Sequence, residues 1–560
     1  MKTEKCFSIK YALLALLMLF SATVMAQVQV TGTVNDEMGP VLGATVREKG
    51  TQNGVATDGD GNFSIKVKNA NATLSISYVG CKPQDVKLAG RTKVNVTLQA
   101  DAHMLEETVV VGYGKMKKSD LAGASTTLNA DALSEGNITN IDQAFQGRVA
   151  GVTTYATSGA PGSSQSIRVR GQATINAGAE PLYVVDGVIF QGGGKSGSDF
   201  GLGDRLGNGS VSTISPLATL NPGDIVSMEI LKDASATAIY GAQGANGVVL
   251  ITTKRGKSGE AKFTYDGSVT MSRQMKRIDM MNLREFATYY NTLVDQYEIT
   301  KNSADPMYSD PSVLGKGTNW QDAIFQTAWQ HNHQISAQGG TDNVQYYVSA
   351  NYMNQEGTII GSEFERYGMR ANLDAKLKPW LKLGFNASYT STSDNLKLAD
   401  SEEGIIQYSL VTPPDIQIYN IDGGYSSVSK EGFTSPNPIA MAMLNEILLD
   451  RQKLNGSIFT EISFMKNLTL HTEFGWDLSW SKGSTYEPKI DLGTWVRDNN
   501  NARVQKNSST YWTLKNYLTW SESFGKHHVT AMLGQECWES SWDYVSVYNT
   551  NLPNDAIHNP

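Results

Sequence analysis

The sequence is poor in cysteine, with three in 560 residues. Cys81 and Cys537 lie in segments of different character, and neither has a Cys or His neighbour at the spacing of a metal site. Cys6 precedes the only long apolar run and is wrongly placed for a lipid-modified cleavage site. Neither a disulfide scaffold nor a cysteine-ligated metal is therefore predicted, and Cys81 and Cys537 are interpreted as structural.

The sequence also lacks an excess of positive charge. Lys and Arg number 47 against 55 Asp and Glu, the formal net charge is −8, and no basic block stands out. A nucleic-acid partner is therefore not expected. With 40% hydrophobic and 18% charged residues, the composition excludes both a disordered chain and a helical membrane protein.

Long hydrophobic runs are missing except for one, YALLALLMLFSATVMA at residues 11–26. Three lysines precede this run, and it is shorter than the ~20 residues that a spanning helix needs. We predict a signal peptide over residues 1–26, cleaved between Ala26 and Gln27, with a permanent anchor helix as the alternative. An exported chain without a spanning helix enters a membrane only as a barrel.

The segment 27–100 contains short alternating runs, such as VQVTGTV and GNFSIKV, separated by turn residues. This pattern predicts a small β-sandwich. Its TDGDGNF stretch resembles a calcium-binding loop, but Phe63 and Asn69 stand where such a loop requires Gly and Glu. A tight turn that leads into a strand is the favoured interpretation.

The next segment, 101–118, has the length of a linker but contains the run TVVV, Thr108 to Val111. β-Branched residues favour the extended state, and Gly112 and Gly114 keep the end of the run flexible. An ordinary linker does not require such a run, although a β-rich linker without a function is the alternative. The run is therefore a candidate functional segment.

Residues 119–257 are rich in glycine and combine short strands with short helices, which predicts an α+β domain. GGGKS at 192–196 and GLGDRLGNG at 201–209 resemble nucleotide-binding loops in composition. Neither lies between a strand and a helix, so flexible glycine loops are the better interpretation. No cofactor is predicted.

The character of the sequence changes after residue 258, and all ten tryptophans lie from Trp320 onward. In WLKLGFNASYT, residues 380–390, apolar and polar residues alternate and would form two opposite faces. Short turns alternate with long segments near 274–330, 392–450 and 481–508. Strands of this length with such connections are typical of an outer-membrane β-barrel, and a large soluble sandwich is the alternative.

About nine such strands are predicted in an antiparallel order. They lie near 260–272, 331–339, 343–354, 364–377, 380–392, 452–464, 467–480, 509–522 and 526–540. An odd number does not close a standard bacterial barrel, so the barrel predicted from this sequence is incomplete. The predicted fold class is mainly β, with a sandwich, an α+β domain and a partial barrel.

LNPGDIVSMEILKDASATAIYGAQGANGVVLITTKRG, residues 220–256, closely resembles the plug signature of the SusC/RagA family of TonB-dependent outer-membrane proteins. VQVTGTVNDEMGPVLGATV resembles the carboxypeptidase-regulatory-like extension of that family. The resemblance implies a division into the extension at 27–100, a linker at 101–118, the plug at 119–257 and a partial barrel at 258–560.

The same resemblance assigns the strand-like linker a role. ETVVVGYG matches the TonB box of the family, the segment that TonB grips from the periplasm by adding an edge strand of its own. The residues that carry this assignment are Glu107, Thr108, Val109, Val110, Val111 and Gly112.

The family implies active import across the bacterial outer membrane, driven by TonB and its inner-membrane complex, with a SusD-like surface lipoprotein that captures an oligosaccharide. The plug loops around 190–210 would line the substrate path. Peptide, siderophore or cobalamin uptake by the same mechanism is an alternative. A signalling receptor is disfavoured because 27–100 is purely β, and a glycan-degrading enzyme because no carboxylate pair is evident. No catalytic residue is predicted.

A barrel of this family contains about 22 strands, so about thirteen would be absent from this sequence. Open strand edges in lipid are costly. A piece of a longer protein is therefore favoured over a nonfunctional truncated remnant.

Two further groups of residues deserve a prediction. His331 and His333 lie on one face of a predicted strand, as a metal pair would, but no third ligand is evident. Trp495 and Trp542 fall in or near predicted loops and are candidates for stacking on sugar rings. Most other tryptophans are interpreted as residues of the membrane interface, among them Trp380, Trp476 and Trp520.

Overall fold

The computed structural model describes residues 28–36, 39–41, 43–49, 51, 53–78, 81, 84–98, 108–111, 114–117, 125–129, 140–156, 158–163, 165–171, 179–191, 200, 202, 215–297, 308–398, 404–426, 435–492, 495–525, 527–558 and 560. The chain forms two compact units, Met1–Thr108 and Val109–Pro560.

The first unit is a β-sandwich of two four-stranded sheets. One sheet contains β1 (Val28–Asp36), β2 (Gly39–Pro40), β5 (Asn62–Val67) and β8 (Lys93–Thr97), and the other contains β3 (Thr45–Glu48), β4 (Gly54–Ala56), β6 (Thr73–Ser77) and β7 (Gln84–Lys87). Burial alternates along β5, where Phe63, Ile65 and Val67 point into the core. This period of two matches the alternating runs of the sequence.

A tight turn leads into β5, as the sequence predicts for TDGDGNF. Asp58 Oδ1 accepts hydrogen bonds from the backbone N–H groups of Asp60 (3.0 Å) and Asn62 (2.8 Å). Gly61 adopts a φ of 74°, a left-handed conformation that glycine reaches without strain. The Asp58 carboxylate therefore closes the turn.

The second unit begins with a two-stranded sheet of β9 (Thr108–Val111) and β10 (Gly114–Lys117). A five-stranded sheet follows in the order β11-β16-β17-β14-β15. Its strands are β11 (Ser125–Asn129), β14 (Leu182–Val185), β15 (Val188–Ile189), β16 (Ile225–Leu231) and β17 (Val248–Thr253). We call the described residues between 125 and 253 the plug.

The plug also contains a hairpin of β12 (Val152–Ala156) and β13 (Gln165–Val169), and the helix α1 (Ala234–Thr237). Short 3-10 segments lie at Ile141–Phe145, Pro216–Thr219, Pro222–Asp224 and Ala238–Gly244. One apolar core joins the sheet to these segments, with Phe145, Leu217 and Met228 fully buried. The 3-10 segment Ile141–Phe145 lies before β12 in the chain.

Nine further strands form one sheet, which we call the wall. Each of its strands pairs with the strand of the same sheet that comes next along the chain. All eight pairings are antiparallel. The strands are β18 (Gly259–Ser272), β19 (Ala328–Gly340), β20 (Val344–Glu356), β21 (Glu363–Lys378), β22 (Leu381–Asn395), β23 (Glu446–Met465), β24 (Leu468–Glu487), β27 (Asn501–Phe524) and β28 (His527–Thr550). The prediction of nine antiparallel strands is confirmed.

In a soluble sheet the apolar face is buried and the polar face is exposed, and in the wall the reverse holds. On β22 the apolar Phe385 and Tyr389 are 37% and 40% exposed, whereas the polar Asn386 and Thr390 are each 5% exposed. The polar face, called the inner face, packs against the plug, and the apolar outer face is open. An apolar face that points outward is the pattern of a barrel strand in lipid.

The connections differ between the two ends of the wall. Tight turns join β19 to β20, β21 to β22, β23 to β24 and β27 to β28 at one end. At the opposite end, the loop end, the connections are 273–327, 357–362, 396–445 and 488–500. This is the alternation that the sequence predicted.

The loop end is folded and has its own core. It contains α2 (Leu283–Tyr297), α3 (Trp320–Ile324), α4 (Ile405–Val411), α5 (Pro438–Leu444) and the hairpin of β25 (Ile490–Leu492) with β26 (Trp495–Arg497). Trp320, Ile359 and Ile405 are buried together, although they come from three different connections. We call this cluster the loop core.

Two boundary predictions were wrong in the same way. The long segment predicted at 481–508 is mostly strand, because β24 and β27 continue to Glu487 and from Asn501. Trp542, predicted in or near a loop, lies within β28. A membrane band needs only about 9–11 residues of each strand, whereas β24, β27 and β28 contain 20, 24 and 24 residues and so extend beyond the stretch in which apolar and polar residues alternate.

Ala26, Gln27, Glu107 and Gly112 lie outside the described residues. In the part of the chain that the structure describes, no helix is long and apolar enough to cross a membrane.

Candidate functional site

The plug meets the wall through a two-residue hairpin turn between β14 and β15. Asp186 and Gly187 form this turn with φ values of 48° and 94°. Two positive φ values in succession define the turn type that Asp-Gly favours, because its twist matches that of the flanking strands. The Asp-Gly pair in PLYVVDGVIF therefore places the Asp186 carboxylate and the Gly187 backbone carbonyl at the tip of the plug sheet.

The Asp186 carboxylate is buried and hydrogen-bonded on the plug side and the wall side. It accepts from the backbone N–H of Thr253 (3.0 Å) and from the Thr253 hydroxyl (2.5 Å). The guanidinium of Arg370, on the inner face of β21, lies 3.5 Å from Asp186 Oδ2 and donates to the Thr253 hydroxyl at 3.1 Å. Removing one partner from a buried ion pair typically costs about 3–5 kcal/mol.

The other residue of the turn contacts a distant part of the wall. The Gly187 carbonyl accepts from Lys515 Nζ on β27 at 2.6 Å. Beside it, a Cβ at Gly475 of β24 would lie 2.7 Å from the Val188 side chain. Glycine at 475 thus leaves the space into which the plug hairpin fits.

A second plug carboxylate, Asp224, accepts three hydrogen bonds from the wall. The donors are Gln334 Nε2 (2.7 Å), Tyr347 Oη (2.8 Å) and Ser349 Oγ (2.7 Å). All three donors are buried, and they lie on the inner face of β19 and β20. Arg370 Nε also lies 3.9 Å from Asp224 Oδ2, so this buried carboxylate has a countercharge as well as three hydrogen-bond donors.

Wall cations also bind plug carbonyl oxygens. Arg366 donates to the carbonyls of Ala218 and Leu220, each at 3.1 Å. Arg451 donates to the Ser215 carbonyl at 3.0 Å.

A third wall cation combines three contacts. Lys453 donates to the Gln191 carbonyl at 2.6 Å and to Asp477 at 2.9 Å, and its ammonium lies 3.8 Å from the centre of the Phe190 ring. The plug is therefore held by many separate polar contacts, each of modest net strength. Such contacts can be released one after another.

The strand-like linker is described only in its backbone at Thr108–Val111, where β9 pairs with β10. Further along the chain, β11 is the edge strand of the plug sheet and pairs only with β16. Lys232 Nζ, next to the end of β16, donates to the Thr126 hydroxyl of β11 at 2.7 Å.

The glycine loops around 190–210 are described at few positions. Phe200 and Leu202 pack against Ile447 and Leu449 on the inner face of β23. The sequence predicted that these loops line a substrate path, and that prediction falls mostly on residues outside the described part of the chain.

The histidine pair lies on the outer face. His331 and His333 have ring centres 5.5 Å apart, and His333 Nδ1 is hydrogen-bonded to the Tyr265 hydroxyl at 2.8 Å. Among the described residues, no group of three or more His, Cys, Asp or Glu side chains is placed to hold a metal ion.

Outside the wall strands, burial shifts the pKa of two groups. Burial raises the pKa of the Tyr183 phenol in the plug well above its ordinary value. Burial likewise lowers the pKa of the Lys397 ammonium at the loop end. Both shifts favour the neutral form, which is the form that an apolar surrounding stabilises.

Sequence reasoning identified none of the wall residues that hold the plug. The available signal was the polar face of each barrel strand, on which Arg366, Arg370, Arg451, Lys453 and Lys515 all lie. Buried Arg and Lys on that face indicate carbonyl or carboxylate partners, because a charge is rarely buried alone.

Family models match two parts of the chain. A model described as the CarboxypepD_reg-like domain matches residues 30–110, and one described as the TonB-dependent Receptor Plug Domain matches residues 117–248. Among curated proteins, TonB-dependent receptor P3 of Formosa agariphila is 34% identical over 548 residues, which is 95% of this chain and 50% of that protein.

The TonB-dependent receptor SusC of Bacteroides thetaiotaomicron is 32% identical over 535 residues, covering 91% of this chain and 50% of that protein. Among solved structures, the RagAB peptide importer in its open-open state matches with a TM-score of 0.63 and 26% identity, over 79% of this chain and 50% of that chain. The chain spans about half the length of the curated relatives it matches.

Proposed function

Because this chain belongs to the SusC-like TonB-dependent receptors, we propose that it imports a neutral oligosaccharide across the bacterial outer membrane. The domains would be a signal peptide at 1–26, the extension at 27–100, a TonB-box linker at 101–118, the plug at 119–257 and part of the barrel at 258–560. The observation that carries the proposal is the plug packed against the polar inner face of a sheet whose apolar face points outward.

The energy for transport would come from TonB, bound at Glu107–Gly112. A TonB strand adds to the extended run at Thr108–Val111 and shares backbone hydrogen bonds with it. A pull transmitted along the linker then loads β11, the edge strand of the plug sheet. Peeling an edge strand breaks its hydrogen bonds one after another, which takes less force than shearing all of them together.

The loop end would carry a SusD-like lipoprotein that delivers the ligand. Its packed core provides a firm surface, and several apolar side chains on it are exposed, including Met275, Val313 and Ile421. These side chains are candidates for contact with such a partner.

The first experiment tests energy coupling. Val110→Pro removes a backbone donor from the TonB box and restricts its conformation, whereas Val110→Thr keeps a β-branched residue there as the matched control. Cells whose only importer of this type is the protein are grown on single oligosaccharides. Val110→Pro is expected to abolish growth at an unchanged level in the outer membrane, and Val110→Thr to preserve it. Equal growth of both variants would contradict the proposal.

Peptide import is the second candidate, and the similarity to the RagAB peptide importer favours it. The two functions are separated by supplying oligosaccharides or peptides as the sole carbon source to the same strains. Growth on peptides alone, lost in Val110→Pro, would establish the second candidate and exclude the first.

A further inference from the structure

The inner face of β28 is identified by its register with β27. Thr513 lies directly opposite Trp538, Ser509 opposite Trp542, and Asn507 opposite Tyr544. Residues directly opposite each other in an antiparallel pair point to the same face. Thr513 and Lys515 are two residues apart on β27 and therefore point to the same face. Lys515 contacts the plug, so this face is the inner one. Trp538, Trp542 and Tyr544 therefore face the interior.

Four aromatic side chains occupy this face of β28. They are Trp538, Trp542, Tyr544 and Tyr548. The rings of Trp542 and Tyr544 have centres 5.1 Å apart. At a rise of about 3.4 Å per residue, the row spans roughly 34 Å along the strand. The aromatic row thus runs from the level of the plug toward the loop end.

The neighbours of Trp542 and Tyr544 on the same face are neutral and polar, whereas Arg503 lies opposite Tyr548, with its guanidinium 5.2 Å from the centre of that ring. Opposite Trp542, the next two strands present Ser509 and Ser479. Opposite Tyr544 they present Asn507 and Ser481, and Asn507 Nδ2 donates to Ser481 Oγ at 3.1 Å. Amide and hydroxyl groups therefore flank exposed aromatic rings, without a charged side chain at these four positions.

The outer face at the same level has a different character. There Asp543, Lys506 and Lys482 replace the serines and aromatics. Charged groups suit solvent or lipid headgroups, whereas the inner face presents ring surfaces beside neutral hydrogen-bonding groups.

We propose that Trp538, Trp542 and Tyr544 form a track on which sugar rings of a neutral oligosaccharide stack as it moves toward the plug. This inference rests on the proposed function and names the residues that contact its substrate. A sugar ring has an apolar face that packs on an aromatic ring and a rim of hydroxyls that hydrogen-bond to serine and asparagine. The track would tolerate different sugars, because stacking on an aromatic ring does not depend on the position of individual hydroxyl groups.

The test measures binding with the transporter purified from outer membranes in detergent, where TonB is not needed. The probes are linear heptasaccharides of glucose, mannose and xylose, together with an uncharged heptapeptide. Trp542→Ala and Trp538→Ala are compared with Trp480→Ala, a tryptophan of the outer face that is 44% exposed. Trp542→Phe keeps an aromatic ring and serves as the conservative variant.

We expect Trp542→Ala to weaken binding of at least one heptasaccharide about tenfold, as loss of a central aromatic contact does, and Trp542→Phe to restore most of it. Trp480→Ala should bind as the wild type does. Equal binding by wild type and both inner-face alanine variants would overturn the track. Binding of the peptide alone would overturn both the track and oligosaccharide import.

Uptake assays separate the two hypotheses. If Val110→Pro abolishes growth on a heptasaccharide while Trp542→Ala and Trp538→Ala bind it normally, the track fails and the proposed function stands. If Val110→Pro grows as the wild type does, the proposed function fails whatever the binding result.

Discussion

Lys515 Nζ lies 2.6 Å from the carbonyl oxygen of Gly187, so β27 of the wall holds the tip of the plug hairpin. The preceding residue, Asp186, contacts Arg370 on β21. One two-residue turn is thus bound by wall strands that are not neighbours in the sheet. The hairpin cannot leave the wall without breaking both contacts.

Lys515→Met should loosen the plug. The substitution keeps the length of the side chain but leaves the buried Gly187 carbonyl without this donor, which costs about 1–3 kcal/mol. We expect a lower melting temperature for the purified protein and greater sensitivity of cells to large hydrophilic antibiotics. Lys506→Met, on the exposed outer face of the same strand, is the control and should change neither measurement. An unchanged melting temperature for Lys515→Met would show that the contact between Lys515 and Gly187 does not stabilise the protein.

Gly475→Ala should displace the plug hairpin. Its Cβ would lie 2.7 Å from a methyl group of Val188 and 3.0 Å from the methyl group of Thr513, so one of them has to move. Crowding of this kind costs about 1–3 kcal/mol. Gly534→Ala is the matched control, because the nearest atom to its Cβ would be 3.4 Å away. Chemical denaturation of both variants compares the two sites, and equal stabilities would contradict the close fit.

Trp320→Ala should unfold the loop core and leave the wall intact. Trp320 is 3% exposed and its Nε1 donates to the Pro413 carbonyl at 3.0 Å. Truncating a buried tryptophan costs about 3–5 kcal/mol. Limited proteolysis should then cut the connections 273–327 and 396–445 rapidly. Trp329→Ala, at a site that is 51% exposed, should be cut no faster than the wild type.

Asp58 should contribute to the stability of the first unit in a pH-dependent manner. The backbone N–H of Asn62 donates to its carboxylate, and this lowers the pKa of Asp58 below its ordinary value. A carboxyl whose pKa is depressed on folding stabilises the fold above its unfolded pKa of about 3.9 and loses that contribution as the pH falls through the folded value. Titration of the Asp58 carboxyl by NMR measures the shift. Asp58→Asn should reduce the loss of stability in acid, whereas Asp60→Asn should not.

Much of the fold follows from local patterns. The alternation in WLKLGFNASYT predicted two faces for β22, and Phe385 and Asn386 do lie on opposite faces. The Asp-Gly pair at 186–187 is the usual signal for a two-residue hairpin turn, and the turn is present. Both features depend on residues only one or two positions apart, so the sequence carries them directly.

The sequence by itself therefore determined the order of the elements along the chain, the nine wall strands and the two faces of a strand such as β22. Tertiary structure alone decided which inner-face residues meet the plug, since Lys515 and Gly187 are separated by 328 positions. It also decided that Trp542 faces the interior beside Ser509, and that three separate connections share the loop core. These contacts depend on the register and stagger of whole strands, a property of the assembled sheet that no local pattern records.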